Sequence, residues 1–257
     1  MSSPILPDIV YKLRGVGDPA LSPDGSRLAY TQSWVEQGDG MESRSRIMML
    51  DLPGGDSREF TQGNKDTVPK FSPDGRTLAF LRPDDTGKRQ VWRMEAGGGE
   101  ARSLTNAPGG VTEFSWSPNG QRLVICADVD PEASDEDTGS IPKTRVVRRI
   151  RYRYDTVGWR GDAHHHLFIV DADGDNLRQI TDGDWDDLSP KWSPDGASIA
   201  FLSGRRDDRD FRALIELYVV AAGGGEAELR SEGLSGVGAV TWSPGGDRMA
   251  VLATEDP

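Results

Sequence analysis

Trp192-Ser193-Pro194-Asp195-Gly196-Ala197-Ser198-Ile199-Ala200-Phe201-Leu202 decides the fold, because the chain repeats it. Leu21-Ser22-Pro23-Asp24-Gly25 runs into Leu28-Ala29-Tyr30, and Phe71-Ser72-Pro73-Asp74-Gly75 runs into Leu78-Ala79-Phe80. Trp116-Ser117-Pro118-Asn119-Gly120 leads to Leu123-Val124-Ile125, and Trp242-Ser243-Pro244-Gly245-Gly246 leads to Met249-Ala250-Val251. Proline presets the first central φ of a turn, Asp or Asn tolerates the next position, and the closing glycine supplies a positive φ. The aromatic or leucine therefore ends one strand and the apolar run forms the next. That run does not alternate, so both of its faces are expected to be covered. Its middle residue is small in four copies (Ala29, Ala79, Ala200, Ala250) and valine in the fifth, Val124, which lets a neighbouring sheet approach.

A second half-repeat follows each of the first four hairpins. Ile47-Met48-Met49-Leu50 leads through Pro53-Gly54-Gly55 to Arg58-Glu59-Phe60-Thr61, and Val91-Trp92-Arg93-Met94 through Gly97-Gly98-Gly99 to Arg102-Ser103-Leu104-Thr105. Leu167-Phe168-Ile169-Val170 leads through Asp173-Gly174 to Gln179-Ile180-Thr181, and Leu217-Tyr218-Val219-Val220 through Gly223-Gly224-Gly225 to Glu228-Leu229-Arg230. Two hairpins make four antiparallel strands per unit. The turn serines fall at 22, 72, 117, 193 and 243, giving steps of 50, 45, 76 and 50 residues. Four strands at that period predict an all-β propeller of four-stranded antiparallel blades with five blade starts, the last incomplete. A β-sandwich with turn-rich loops is the alternative that the period disfavours.

Residues 1–16 form an N-terminal extension in which Asp8 caps one or two helical turns. The propeller covers 17–257, with blades at about 17–63, 66–106, 111–182 and 187–232 and a partial blade at 238–257. Only the first hairpin of the fifth blade is present, which leaves a sheet edge open. The array is therefore expected to be cut short.

The 76-residue step places an insertion at 127–163 in the third blade. It opens with six carboxylates between Asp128 and Asp137, then turns basic and aromatic through Arg149, Arg151, Tyr152, Arg153 and Tyr154. Alternation of Arg149, Arg151 and Arg153 with Ile150, Tyr152 and Tyr154 has strand periodicity. One reading is a solvated strand paired with the nearby acidic loop. The other is a cationic, aromatic edge that receives a carbonyl or carboxylate from a ligand or neighbouring domain, with Arg149, Arg151, Tyr152 and Tyr154 as its contacts.

Composition narrows the function classes. A net charge of −12 argues against nucleic acid or an anionic membrane as partner. Cys126 is the single cysteine and sits at an apolar strand position, which reads as a buried, inert thiol. No secretory leader and no membrane-spanning run is visible, so a soluble, cytoplasmic protein is expected.

Motifs for chemistry do not assemble. Gly233-Leu234-Ser235-Gly236-Val237 lacks the last glycine of a nucleophile elbow. His164, His165 and His166 are consecutive, and neighbours on a strand point to opposite faces, so no metal site is expected. Asp171-Ala172-Asp173-Gly174-Asp175-Asn176 has glycine fourth rather than sixth, which fits a hairpin turn and not a calcium loop. No glycine loop for a phosphate precedes a helix. No catalytic residue and no cofactor is expected on this chain.

The Ser-Pro-Asp-Gly hairpins with Gly-Gly turns and Leu-Thr endings resemble TolB-type propeller repeats. Asp8-Ile9-Val10-Tyr11-Lys12-Leu13-Arg14-Gly15-Val16-Gly17-Asp18-Pro19-Ala20-Leu21-Ser22-Pro23-Asp24-Gly25 is similar to the opening of the prolyl oligopeptidase family, in particular its acylaminoacyl-peptidase-like branch. Arg151-Tyr152-Arg153-Tyr154 before Leu167 resembles the same branch. That resemblance implies a propeller, usually of seven or eight blades, capping an α/β-hydrolase domain that bears the catalytic Ser, Asp and His. The propeller would gate the site so that short peptides enter, and would help position them. No position here matches the triad, so the implied partner is a hydrolase domain absent from this chain. An oligomer is the other partner considered. The rival expectation is a stand-alone TolB-like propeller that binds a protein or peptide.

Overall fold

The computed structural model describes residues 7–38, 40–131, 146–147, 149–155, 158–160, 162–212 and 214–255. These residues are all-β apart from a 3-10 helix at Pro7–Lys12, and they fall in two compact units, Met1–Asn106 and Ala107–Pro257.

In the first unit, strands β1 (Gly15–Leu21), β2 (Arg27–Gln37), β3 (Met41–Asp51) and β4 (Ser57–Glu59) form one antiparallel sheet in sequence order. Strands β5 (Thr67–Phe71), β6 (Thr77–Pro83), β7 (Arg89–Glu95) and β8 (Arg102–Ser103) form the next. Ala29, Ile47 and Met49 of the first sheet bury themselves against Leu78, Phe80 and Met94 of the second. The core of this unit thus lies between two sheets, as in stacked blades.

The second unit opens with β9 (Val111–Trp116) and β10 (Arg122–Val129). A two-residue pair, β11 (Arg153–Tyr154) with β12 (Gly158–Trp159), stands apart before β13 (His164–Asp171) and β14 (Arg178–Gln179). The blade runs β14-β13-β10-β9. Its two central strands stay paired out to Val129↔His164, so the insertion leaves the sheet after Val129 rather than at 127. Strands β15 (Asp187–Trp192), β16 (Ser198–Ser203), β17 (Glu216–Ala221) and β18 (Glu228–Leu229) form a four-stranded sheet, and β19 (Leu234–Trp242) pairs only with β20 (Met249–Glu255) among the described residues. One core cluster joins Val124, Cys126 and Leu167 to Ile199, Phe201 and Tyr218, and another joins Ala200, Leu202 and Leu217 to Val237 and Val240.

The repeated turn explains why the sequence folds this way. The Ser22 hydroxyl donates to Asp24 Oδ1 at 2.6 Å and accepts the Arg27 N–H at 2.9 Å, while Gly25 N–H reaches the Ser22 carbonyl at 2.9 Å. Ser72, Ser117 and Ser193 repeat the pattern with Asp74, Asn119 and Asp195. Where Gly245 replaces the acid, Ser243 bonds Asp247 Oδ1 instead, at 2.9 Å. The closing glycines have φ between 69° and 75°. A Cβ on Gly75 would lie 3.3 Å from Pro23 Cδ, and one on Gly246 would lie 3.5 Å from Pro194 Cδ, so the turns of successive blades touch.

The Leu-Thr endings have an equally specific role. Thr61, Thr105, Thr181 and Ser231 accept the backbone N–H of Ile47, Val91, Leu167 and Leu217 at 2.9–3.1 Å, extending each third strand's pairing through a side chain. Ala29, Ala79, Val124 and Ala200 are fully buried, as the small middle residue requires.

Candidate functional site

In the second unit the insertion, the start of β13, the link 181–187 and the excursion 204–215 surround a cavity of about 220 Å³. Arg149, Arg151, Tyr154, Arg160, Trp185, Asp186, Arg209 and Asp210 all line it. Five arginines, counting Arg212, and two aspartates give this wall a positive excess in a chain of net charge −12.

Three of the four residues singled out from the sequence meet here. Arg149 pairs with Asp184 at 2.8 Å, donates to the Asp184 carbonyl at 3.0 Å, and lies 3.9 Å from Asp210. Arg151 donates to the Asp210 carbonyl at 3.3 Å, and Tyr154 is half-exposed on the wall. Tyr152 is not on that wall. Its ring packs against Trp159, with centroids 5.4 Å apart.

The expected long strand through Arg149, Arg151 and Arg153 is not formed. Only Arg153 and Tyr154 are extended, paired with Trp159 and Gly158. Among the described residues Arg149 pairs with Asp184 and Asp210; most of the acidic stretch of the insertion lies outside the described residues. A long guanidinium side chain satisfies itself with the carboxylates that folding brings near, and here those come from the link and the excursion.

Behind the wall the polar groups are tightly coupled. Arg160 bridges Asp128 at 2.7 Å and Asp186 at 3.1 Å. His165 Nδ1 lies 2.9 Å from Asp128 Oδ1 and its Nε2 lies 3.1 Å from Arg160 Nη1, which ties the ring to both members of that pair. Burial pushes the Asp186 carboxyl up, but His164, the Arg160 charge and the His165 N–H override it and hold it at about 2. Asp128 is lowered in the same way, with burial opposed by His165 and Arg160.

Deeper still, the fully buried Asp187 accepts Arg205 at 2.8 Å and faces His166 Nδ1 at 3.3 Å. Arg205 lies over Trp185, Phe201 and Tyr218 at 4.9, 5.1 and 4.7 Å from their ring centroids. Trp185 Nε1 and His164 Nδ1 are buried without a hydrogen-bond partner among the described residues. Such groups cost free energy unless a ligand or water meets them.

Trp185, Asp184, Arg205 and Arg209 were not singled out from the sequence. The signal was the acidic link Asp184-Trp185-Asp186-Asp187, which differs from the other inter-blade links such as Asn64-Lys65-Asp66. Burial pushes the Cys126 thiol up to about 12, so it is not a poised nucleophile. Among the described residues no group of three or more His, Cys, Asp or Glu is placed to hold a metal ion. No helix there is long and apolar enough to cross a membrane.

Residues 8–136 match the model of the TolB β-propeller domain family. An uncharacterized peptidase of Bacillus subtilis, YuxL, is 30% identical over 225 residues, which cover 86% of this chain and 34% of the relative. Dipeptidyl-peptidase 5 of Porphyromonas endodontalis is 23% identical over 82% of this chain and 32% of its own length. The acylaminoacyl peptidase of Pyrococcus horikoshii superposes with a TM-score of 0.68 at 18% identity, over 86% of this chain and 33% of that one. The chain thus spans about a third of the length of these curated relatives.

Proposed function

We propose that this chain, which belongs to the TolB β-propeller family, is the propeller portion of a cytoplasmic serine peptidase of the prolyl oligopeptidase family that acts on short peptides. On its own it is non-catalytic. It gates access to an α/β-hydrolase domain carried outside these residues, and it positions the substrate. The observation that carries this reading is the alignment of most of the chain with about a third of a peptidase. The cavity wall adds a means of positioning: Arg149 and Arg151 offer guanidinium donors to a peptide carbonyl or carboxylate, and Tyr154 offers an aromatic face with a hydroxyl. Tyr152 supports them from behind through Trp159.

Two measurements test this. The native protein from its source cells should have a mass more than twice 28.0 kDa. In that full-length enzyme Arg151→Ala should raise KM or lower kcat/KM for short peptides. Unchanged kinetics would remove Arg151 from the substrate contacts, and a native mass of 28.0 kDa would remove the peptidase reading.

The family match itself favours a second reading, a stand-alone TolB-like propeller that binds a protein or peptide partner. Sharp, cooperative unfolding of the isolated chain as a monomer would support it.

A further inference from the structure

The wall of the cavity in the second unit offers more hydrogen-bond donors than it has acceptors to meet them. Four of its arginines are matched: Arg149 and Arg209 hold Asp184 at 2.8 and 3.1 Å, Arg160 holds Asp186 at 3.1 Å, and Arg212 lies 3.7 Å from Asp208. Arg151 is the exception. Among the described residues it meets the Asp210 carbonyl, at 3.3 Å, and no carboxylate. The Tyr154 hydroxyl, on the same wall, has no partner among them either. Trp185 Nε1 is buried with none, and an indole N–H can only donate. The carboxylates of the wall are already engaged, Asp186 by Arg160 and Asp210 by Arg149 at 3.9 Å. A group that enters must therefore bring acceptor atoms, and beside Arg151 it gains most by bringing negative charge.

Volume and charge narrow that group further. At about 220 Å³ the cavity is smaller than the ~300–1,000 Å³ of pockets for drug-sized ligands, so it takes one side chain or one chain end and not a whole peptide. A neutral carbonyl would leave the charge of Arg151 unanswered. A phosphoryl dianion would set its second charge against Asp186 and Asp210 of the same wall. A single carboxylate answers the guanidinium and adds no surplus. We propose that the cavity is a carboxylate subsite, so that peptides bearing an acidic side chain or a free C-terminal carboxylate are the preferred substrates; this rests on the peptide-positioning reading above. Arg151 supplies the charge-assisted bond, and Tyr154 and Trp185 are the neutral donors of the wall. The net charge of −12 on this chain repels anions at long range, so a preference for acidic peptides is a local property of this wall.

Versions of one short peptide test this in the full-length enzyme. The neutral version carries glutamine and an amidated C-terminus; the second series puts glutamate at each position in turn; the last keeps glutamine and frees the C-terminal carboxylate. At least one carboxylate peptide should show a kcat/KM about tenfold above the neutral one, the effect of one hydrogen bond to a charged group. A gain confined to glutamate peptides names the side chain as the source, and a gain on freeing the C-terminus names the chain end. Arg151→Gln should bring the ratio of kcat/KM values close to one. That ratio is the readout, because a loss of structure lowers the rates for all the peptides alike. Arg76→Gln removes the same charge from an exposed turn in the first unit and should keep the ratio. Equal kcat/KM across the peptides, or a preference that survives Arg151→Gln, overturns the proposal and leaves the peptidase reading standing. Cleavage of none of them removes that reading, and the subsite with it.

Discussion

Arg82 closes on Asp66 through paired hydrogen bonds, Nε to Oδ1 at 2.7 Å and Nη2 to Oδ2 at 2.8 Å, and Asp66 has no exposed surface. The guanidinium lies over Phe80 and Trp92 at 5.1 and 5.0 Å from their centroids. Asp187 and Arg205 repeat the arrangement in the fourth blade, with Phe201 and Tyr218 as the rings. In each case an acid at the head of the first strand fixes an arginine from the second strand or just after it. The ring stack then holds the arginine's planar face. The difference is the third partner: His166 joins Asp187 beside the candidate site.

Asp66→Ala should therefore be among the most destabilising single substitutions in the first unit. It strands a largely buried guanidinium whose carboxylate is gone, a change that costs about 3–5 kcal/mol in comparable buried pairs. The double variant Asp66→Leu/Arg82→Leu should recover part of that loss, because no uncompensated charge remains. Urea unfolding of both variants against the parent checks this, and equal losses would show that the pair is not coupled.

The turn glycines separate two costs that usually travel together. Gly25 and Gly75 have φ of 71° and 70°, but a Cβ on Gly25 meets nothing within 4 Å whereas one on Gly75 meets Pro23 Cδ at 3.3 Å. Gly25→Ala should lose about 1 kcal/mol from the left-handed backbone alone. Gly75→Ala should lose that and more, because the blade-to-blade contact must give. Equal unfolding midpoints for the two variants would mean that Pro23 yields without cost.

Acid should weaken the fold within a defined window. The Ser22 hydroxyl and then the Ser26 N–H hold the exposed Asp24 down at about 2, against 3.8 when unperturbed. Asp186 reaches about 2 by a different balance, burial opposed by His164, Arg160 and the His165 N–H. Both folded values lie below the unfolded ones, so their stabilisation is complete above pH 3.8 and drains away as pH falls to about 2. The melting temperature measured from pH 6 to pH 2 should drop most steeply in that interval. Asp24→Asn should flatten part of the drop, since the amide oxygen keeps the turn, as Asn119 does, without titrating.

The blades were legible because their turns are chemical: Ser22 and Gly25 occupy positions that few other residues could fill, and the chain says so five times. The pairing of β19 with β20 was legible for the same reason, from the fifth copy of the turn. The candidate site was legible only in part. Arg149, Arg151 and Tyr154 declared themselves by composition, but Asp184, Trp185 and Asp210 reach them across sequence gaps that no local pattern bridges. The first strands also hide a device. Asp18, Val68 and Ser189 each take a positive φ of 50°, 54° and 54°, each precedes a proline, and each marks a shift in register. A proline in a strand reads as an edge or a bulge, not as a left-handed residue before it.

Val68 is the costly member of that series, because a β-branched side chain is disfavoured at positive φ where Asp and Asn are tolerated. Its conformation is held by its own N–H, which reaches Thr31 Oγ1 at 3.2 Å and Asp18 Oδ2 at 3.3 Å, fastening the second blade's first strand to the first blade. Val68→Asn keeps that N–H and removes the branched Cβ, so it should raise stability by about 1 kcal/mol. Val68→Ile keeps the branch and should leave stability within about 0.5 kcal/mol of the parent. Guanidinium unfolding of the two variants distinguishes strain from packing. If Asn destabilises while Ile does not, the half-buried valine contributes more through its contacts than its backbone costs.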